Sequence, residues 1–198
     1  MPPRLRRIQR APKLAPMSEP RSARGFVIAR LPFGNTSLII RCLTEQAGRL
    51  TFMAKGANRP KSPLTGTLDL FYLDDFLYQP SRSGEMHTLR EARVVEPNLG
   101  LRRSYANLMA AQYFAELVEA ITESGTPLPG EYTLFAKAIA YLGENDASWR
   151  VVERFEQRIV NLAGLGQTGD LPHAFRSLHH AVPALRADLL KLLVKAAG

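Results

Sequence analysis

The sequence has a single cysteine, no long apolar run and no secretory leader pattern. Cys42 alone can form neither an internal disulfide nor a cysteine-based zinc site, so disulfide-stapled and zinc-finger architectures are not expected. No apolar stretch approaches the roughly 20 residues that cross a bilayer, and residues 1–24 lack the apolar core of a signal peptide. We therefore expect a soluble, cytoplasmic protein with no membrane partner.

The residue constellations of common enzymes are also missing. No Ser-His-Asp arrangement is visible, and Asp74 and Asp75, in the nearest acidic cluster with Asp69, should point to opposite faces of a strand. Residues 54–62 end in Lys-Ser like a Walker A loop, but Pro60 removes an amide donor that a phosphate cradle needs. We expect no catalytic residues, no cofactor and no metal.

What the chain does have is positive charge, concentrated at its start. Residues 1–24 contain seven Lys or Arg and one acid, so they carry +6 of the net +8 and the remaining residues only +2. Five prolines and few large apolar residues in this segment predict a disordered basic arm. Three interpretations stay open: a DNA-contacting tail, an organelle-targeting peptide, or an upstream extension with translation starting at Met17.

Residues 25–97 show short extended runs separated by turn residues, which is typical of a small all-β barrel. Alternation of apolar residues is clearest in the second run, at Leu38, Ile40 and Cys42. The five predicted strands are Gly25–Arg30, Ser37–Leu43, Arg49–Ala54, Leu68–Tyr78 and Met86–Val95.

In residues 98–198 the apolar period changes from two to about 3.6, which predicts a helical domain. Helices are expected from Tyr105 to about Ser124, from about Glu131 to Leu142, from a cap at Asn145 or Asp146 to before Gly164, and from Ala184 to Ala196. The charged face of the third helix, Glu153, Arg154, Glu156 and Arg158, is interpreted as solvated. The predicted fold class is therefore α+β, a five-stranded OB-fold barrel followed by an all-α domain.

The candidate nucleic-acid-binding residues are cations on the barrel. Lys55, Arg59 and Lys61 share one loop between predicted strands, where cations can reach phosphates. Phe33 could stack a base, whereas Phe52, Phe71 and Phe76 are predicted to be core. The remaining candidates are the strand or loop cations Arg30, Arg41, Arg49 and Arg82.

Four segments carry a resemblance to a known family: Gly25–Arg30, Phe33–Leu38, Leu43–Gly48 and Ala54–Ser62. In order and spacing they resemble the N-terminal domain of the RecO family of bacterial recombination mediators, over about residues 24–96. The helical half is similar only in helix order and apolar spacing. Asn35 and Asn58 depart from the Glu and Arg found in many relatives, and residues 165–180 lack the four-cysteine zinc module of many relatives, which leaves His173, His179 and His180 as improbable metal ligands.

The resemblance implies a protein without catalytic residues that binds single- and double-stranded DNA, anneals complementary strands and helps load RecA. It also implies two protein partners, RecR and the acidic, apolar C-terminal tail of single-stranded DNA-binding protein, the latter docking on the helical domain. Two alternatives stay open: a protein-only adaptor, favoured by the nearly neutral body, and an RNA-binding OB module.

Overall fold

The computed structural model describes residues 19–166, 171–177 and 181–195. Five strands come first: β1 (Arg21–Phe33), β2 (Ser37–Thr44), β3 (Gly48–Ala54), β4 (Leu73–Gln79) and β5 (Met86–Glu96). A 3-10 helix (Leu99–Arg103) leads to α1 (Tyr105–Ile121), α2 (Pro129–Glu144), α3 (Trp149–Leu162), α4 (Leu171–Ser177) and α5 (Leu185–Lys195). None of the helices in these ranges is both long and apolar enough to cross a bilayer.

The strands form a closed barrel in the order β1-β2-β3-β5-β4, with β3 and β5 parallel and the other pairs antiparallel. This is the Greek-key arrangement of an OB-fold. The predicted α+β class, an OB-fold followed by a helical domain, is confirmed.

Alternating apolar residues fill the barrel. Phe52 of β3 lies 5.2 Å from Phe76 and 5.1 Å from Tyr78 of β4, measured between ring centroids. Phe52, Phe71 and Phe76 are all buried, as predicted. The period-two pattern is therefore a reliable signal here because one face of each strand lines a closed interior.

β1 changes partners along its length. Residues 21–26 pair with β4 and residues 25–33 pair with β2, with an irregularity in the second pairing between Val27 and Ala29. Arg30 lies opposite Ile40, which is buried in the barrel, so both side chains are on the same face of the hairpin. That face forms one wall of the cleft described below.

The segment between β3 and β4 is longer than predicted, because β4 begins at Leu73 and not at Leu68. Phe71 has a φ of 65°, in the left-handed region, and its amide donates to the Val27 carbonyl at 2.8 Å. The chain therefore turns at this point, and the buried Leu64 and Leu68 join the barrel core from the loop.

The barrel and the helices share a core. Phe26 of β1 packs against Tyr132 and Phe135 of α2, at centroid distances of 5.8 and 5.5 Å. Gly48, with a φ of 59°, lies so close to the Thr126 carbonyl that a Cβ there would overlap it. The two predicted domains are thus packed against each other through apolar contacts and a close backbone approach.

Several predicted boundaries in the helical half are wrong. Asn145 ends α2, its amide donating to the Tyr141 carbonyl at 2.8 Å, and α3 instead follows Ser148. Glu156 is buried and not solvated, because Arg186 of α5 and Tyr113 of α1 both bind it. Helix α4 was not predicted.

The predicted basic arm lies mostly outside the described residues, which begin at residue 19. Its proposed end at residue 24 is wrong, because Arg21–Arg24 are paired with β4 in the sheet. Arg24 donates two hydrogen bonds to Asp75, at 2.7 and 3.0 Å. His179 and His180 also lie outside the described residues.

Candidate nucleic-acid interface

A cleft of about 410 Å³ opens between the β1–β2 hairpin and the β3–β4 loop, and we call it the barrel cleft. It brings together Arg30 from the strand with Arg59 and Lys61 from the loop, all exposed. Buried Leu38, Leu64 and Leu68 form its apolar base. Three of the predicted cations therefore surround one concave surface.

Hydrogen bonds donated by backbone amides hold the loop against the hairpin. The Asn58 amide donates to the Thr36 carbonyl at 2.8 Å, and the Gly56 amide donates to Ser37 Oγ at 3.2 Å. Successive turns follow, with the Arg59 amide donating to the Gly56 carbonyl at 3.0 Å. The cations at 59 and 61 are thus presented from an ordered backbone, which lowers the entropic cost of binding an anion.

One acid lines the barrel cleft, and a cation already binds it. Asp69 accepts a 2.6 Å hydrogen bond from Arg102 Nη2, and its other oxygen accepts from the Leu70 amide at 2.9 Å. Within the described ranges, no ion pair joins Arg30, Arg59 or Lys61 to an acid. Their charge remains available to an anionic ligand.

Arg102 was not among the predicted site residues. It lies in the 3-10 helix, about thirty residues beyond Asp69 in sequence, and its guanidinium lies 5.9 Å from the centroid of the Tyr72 ring. The only sign of this residue in the sequence was the adjacent pair Arg102 and Arg103. No neighbouring residue indicates that Arg102 contacts the β3–β4 loop.

Two predicted cations lie elsewhere on the barrel. Arg41 Nη1 is 3.3 Å from Glu119 Oε1, and Arg49 Nη1 donates to the Glu119 carbonyl at 3.2 Å. Both therefore join the outer barrel surface to the end of α1. Their contacts indicate a role in holding the barrel and helices together.

The remaining candidates lie outside the residues that line the barrel cleft. Lys55 is exposed at the beginning of the same loop, and Phe33 is 51% exposed at the end of β1. Arg82 lies in the loop between β4 and β5. For these three residues, contact with DNA remains a prediction.

The acidic residues are held apart. Asp74 is enclosed in the barrel wall, where burial and the nearby charge of Asp75 raise its pKa to about 7. Asp75 faces outward, and hydrogen bonds from Arg24 and Arg93 lower its pKa to about 2. Because Asp69 binds Arg102, the three carboxyls do not converge, and no cluster suited to a metal ion occurs in the part of the chain described.

A second concave surface lies on the helical domain, between α2 and α3, and we call it the α2–α3 groove. Its 240 Å³ cavity has an apolar lining that includes Phe114, Leu134 and Phe155. Lys137, Arg154 and Arg158 also line it. A neighbouring cavity of about 370 Å³ shares Leu134, Lys137 and Arg158 and extends the groove along the same two helices.

The family models for recombination protein O match both halves of the chain: the N-terminal model covers residues 17–98 and the C-terminal model residues 102–168. The DNA repair protein RecO of Vibrio cholerae serotype O1 (strain O395) is 31% identical over 182 residues, covering 86% of this chain and 74% of the relative. This chain belongs to the recombination protein O family.

Other RecO proteins match a shorter region. RecO of Aliivibrio fischeri (strain MJ11) is 33% identical over 143 residues, and RecO of Vibrio atlanticus (strain LGP32) is 34% identical over 143 residues. These alignments cover 72% of this chain and 58% and 57% of the relatives. The chain thus spans less than two thirds of the length of these two RecO proteins.

Proposed function

We propose that this RecO family member acts in DNA repair and recombination by binding single- and double-stranded DNA in the barrel cleft without sequence preference. The observation that supports this most directly is the meeting of Arg30, Arg59 and Lys61 around one concave surface of an OB-fold. Annealing of complementary strands, and RecA loading together with RecR, are proposed from family membership.

The binding mechanism is electrostatic. Each cation that neutralises a backbone phosphate releases condensed counterions, so the logarithm of affinity falls with the logarithm of salt by about 0.7 per contact on single strands. Three cleft cations therefore contribute a slope of roughly −2. Annealing follows because screened strands repel each other less.

Replacing the three cleft cations together tests this site. The variant Arg30→Ala, Arg59→Ala, Lys61→Ala should bind a labelled single-stranded oligonucleotide more weakly and with a flatter salt slope, measured by fluorescence anisotropy. A matched control removes three exposed cations outside the described cavities, Arg90, Arg150 and Arg176, and so has the same net charge. Equal affinity and slope in the two variants would exclude the barrel cleft as the site.

We also propose that the α2–α3 groove docks the C-terminal tail of single-stranded DNA-binding protein. The family resemblance implies an acidic, apolar tail, and this groove offers the complementary chemistry: an apolar lining with Lys137, Arg154 and Arg158 around it. An apolar side chain would occupy the cavity, and the acids would face the cations.

A labelled acidic peptide ending in an apolar residue tests the groove. Lys137→Ala with Arg158→Ala should weaken peptide binding by about tenfold or more, because two charge contacts are lost. The double variant Arg90→Ala, Arg150→Ala removes the same net charge at exposed residues outside the groove and should bind like the wild type. Equal loss in both variants would mean that overall charge, and not the groove, captures the peptide.

The adaptor function remains the second candidate, and the contacts of Arg41 and Arg49 with Glu119 favour it because they remove two cations from the outer surface. It predicts peptide capture by the isolated chain with no DNA binding at moderate salt. Competition between RNA and DNA strands of matched sequence distinguishes an RNA-binding OB module.

A further inference from the structure

An apolar groove lies beside the barrel cleft, between the β3–β4 loop, the start of α1 and α5. We call this 540 Å³ cavity the junction groove. Its lining includes Leu70, Tyr105 and Leu185, one from each of these three parts of the chain. Tyr105 is 70% exposed and Leu70 37% exposed, so an aromatic ring and an aliphatic side chain face solvent together.

The junction groove and the barrel cleft meet at one residue. Asp69 lines both cavities, and Arg102, which binds Asp69, lines the junction groove. The ion pair neutralises the carboxylate where the two surfaces join. An anionic chain lying in the barrel cleft therefore meets no uncompensated negative charge on passing toward Tyr105.

The chemistry changes from one surface to the other. Cations dominate the polar lining of the barrel cleft, whereas the junction groove presents an exposed tyrosine ring with aliphatic neighbours and one arginine. A single nucleic-acid strand has the same two components, since phosphates need cations and unpaired bases stack on exposed aromatic rings. A duplex hides its base faces and could not use the ring in this way.

We propose that the junction groove continues the DNA site, with the strand's phosphates in the barrel cleft and an unpaired base stacked on Tyr105. This inference rests on the proposed function and adds to it a reason for preferring single strands. Tyr105 is the first residue of α1, so the helical domain completes a site that the barrel begins.

The test compares Tyr105→Ala, Tyr105→Phe and the wild type on two labelled strands of equal length, an oligothymidylate and an abasic strand with the same phosphates. Leu99→Ala is the control, because Leu99 is also an exposed large apolar residue but does not line the junction groove, and it should bind both strands like the wild type. Tyr105→Ala should bind oligothymidylate about tenfold more weakly, with an unchanged salt slope, because the lost contact releases no counterions. Tyr105→Phe should keep the affinity, and all variants should bind the abasic strand equally.

The outcomes separate the two proposals. If Tyr105→Ala binds oligothymidylate like the wild type while the triple barrel-cleft variant is weakened, the junction groove is excluded and the barrel-cleft site stands. An equal loss on both strands contradicts base stacking. If the wild type binds neither strand, the proposed function fails and this inference fails with it.

Discussion

Asp74 is a fully buried acidic residue in the barrel wall. Both carboxyl oxygens are buried and have no hydrogen-bond partner among the described residues. Burial, followed by the charge of Asp75, raises the pKa of Asp74 to about 7, so the side chain is largely protonated in the folded protein at mildly acid pH. The nearby Cys42 thiol also has a raised pKa because it is buried and faces Asp74.

This raised pKa predicts a stability that falls as the pH rises. Between about pH 4 and pH 7 the unfolded chain has lost the Asp74 proton while the folded chain retains it, so each rise in pH favours unfolding. The free energy of unfolding falls by roughly 4 kcal/mol in total. This loss is complete near pH 7 and stays constant at higher pH. Below the pKa that Asp74 has in the unfolded chain, the side chain is protonated in both states and this loss of stability is absent.

Asp74→Asn should remove this pH dependence. Urea unfolding at pH 5 and pH 8 should show a smaller loss of unfolding free energy in the variant than in the wild type. Burial lowers the pKa of His87, but His87 is common to both proteins, and Asp75, with a pKa of about 2, stays ionised at both pH values. Identical pH dependence in the two proteins would contradict the assignment.

At the scale of elements, α5 depends on one buried carboxylate of α3. Glu156 accepts hydrogen bonds from Arg186 at 2.7 and 3.0 Å and from Tyr113 Oη at 2.6 Å. The Arg186 guanidinium also lies 5.0 Å from the Trp149 ring centroid. Residues of three helices therefore meet at the Glu156 carboxylate, since Tyr113 belongs to α1 and Arg186 to α5.

Glu156→Gln should destabilise the protein by about 3–5 kcal/mol, because Arg186 would remain partly buried without its counter-charge. Urea unfolding measures the change, and the fluorescence of Trp149, the chain's one tryptophan, should shift as the guanidinium moves. Glu153→Gln, on the exposed side of the same helix, is the control and should lie within about 0.5 kcal/mol of the wild type. A similar small effect at Glu156 would show that the triad contributes little.

An element could be predicted from the sequence where the residues that determine it are close together in the chain. β2 and β3 could be predicted because alternation at Leu38, Ile40 and Phe52 reflects one buried face. The beginning of β4 could not, because the turn at Phe71 depends on a hydrogen bond to Val27, far away in sequence. Glu156 was misassigned for the same reason, since helical spacing does not reveal that α5 covers it.

For the candidate site too, contacts between residues far apart in the chain could not be predicted from the sequence. Clustering of cations in residues 55–61 was visible in the sequence, and the resemblance to the family led us to predict DNA contacts there. That Arg30 joins the loop, whereas Arg41 and Arg49 contact Glu119, follows from the register of β1 and the packing of α1. In the sequence, the resemblance to the RecO family rested on segments of the barrel. The family models match both halves of the chain.

At the scale of the whole molecule, the barrel and helices form one packed body. Phe26, Ile28 and Leu43 of the barrel belong to the same apolar cluster as α1, α2 and α3. The Gly125 amide also donates to the Arg49 carbonyl at 3.0 Å, joining the segment after α1 to β3. Separating the two halves would expose this shared apolar surface to water.

The shared core predicts a single cooperative unfolding transition. In urea, Trp149 fluorescence, which reports on α3, should change at the same midpoint as the far-ultraviolet circular dichroism of the whole chain. Phe26→Ala should lower both midpoints together by a destabilisation of about 3–5 kcal/mol. Two separated midpoints in the wild type would contradict a common core.

We propose that the folded barrel, and not the basic N-terminal segment, binds the DNA. The most direct test of this claim is fluorescence anisotropy of a labelled single-stranded oligonucleotide over a salt series, using the chain with and without residues 1–16. We predict that binding survives the truncation with a slope of roughly −2 from the three barrel-cleft cations. Binding that is lost with residues 1–16, or is absent in both chains, would contradict the claim and favour the adaptor function.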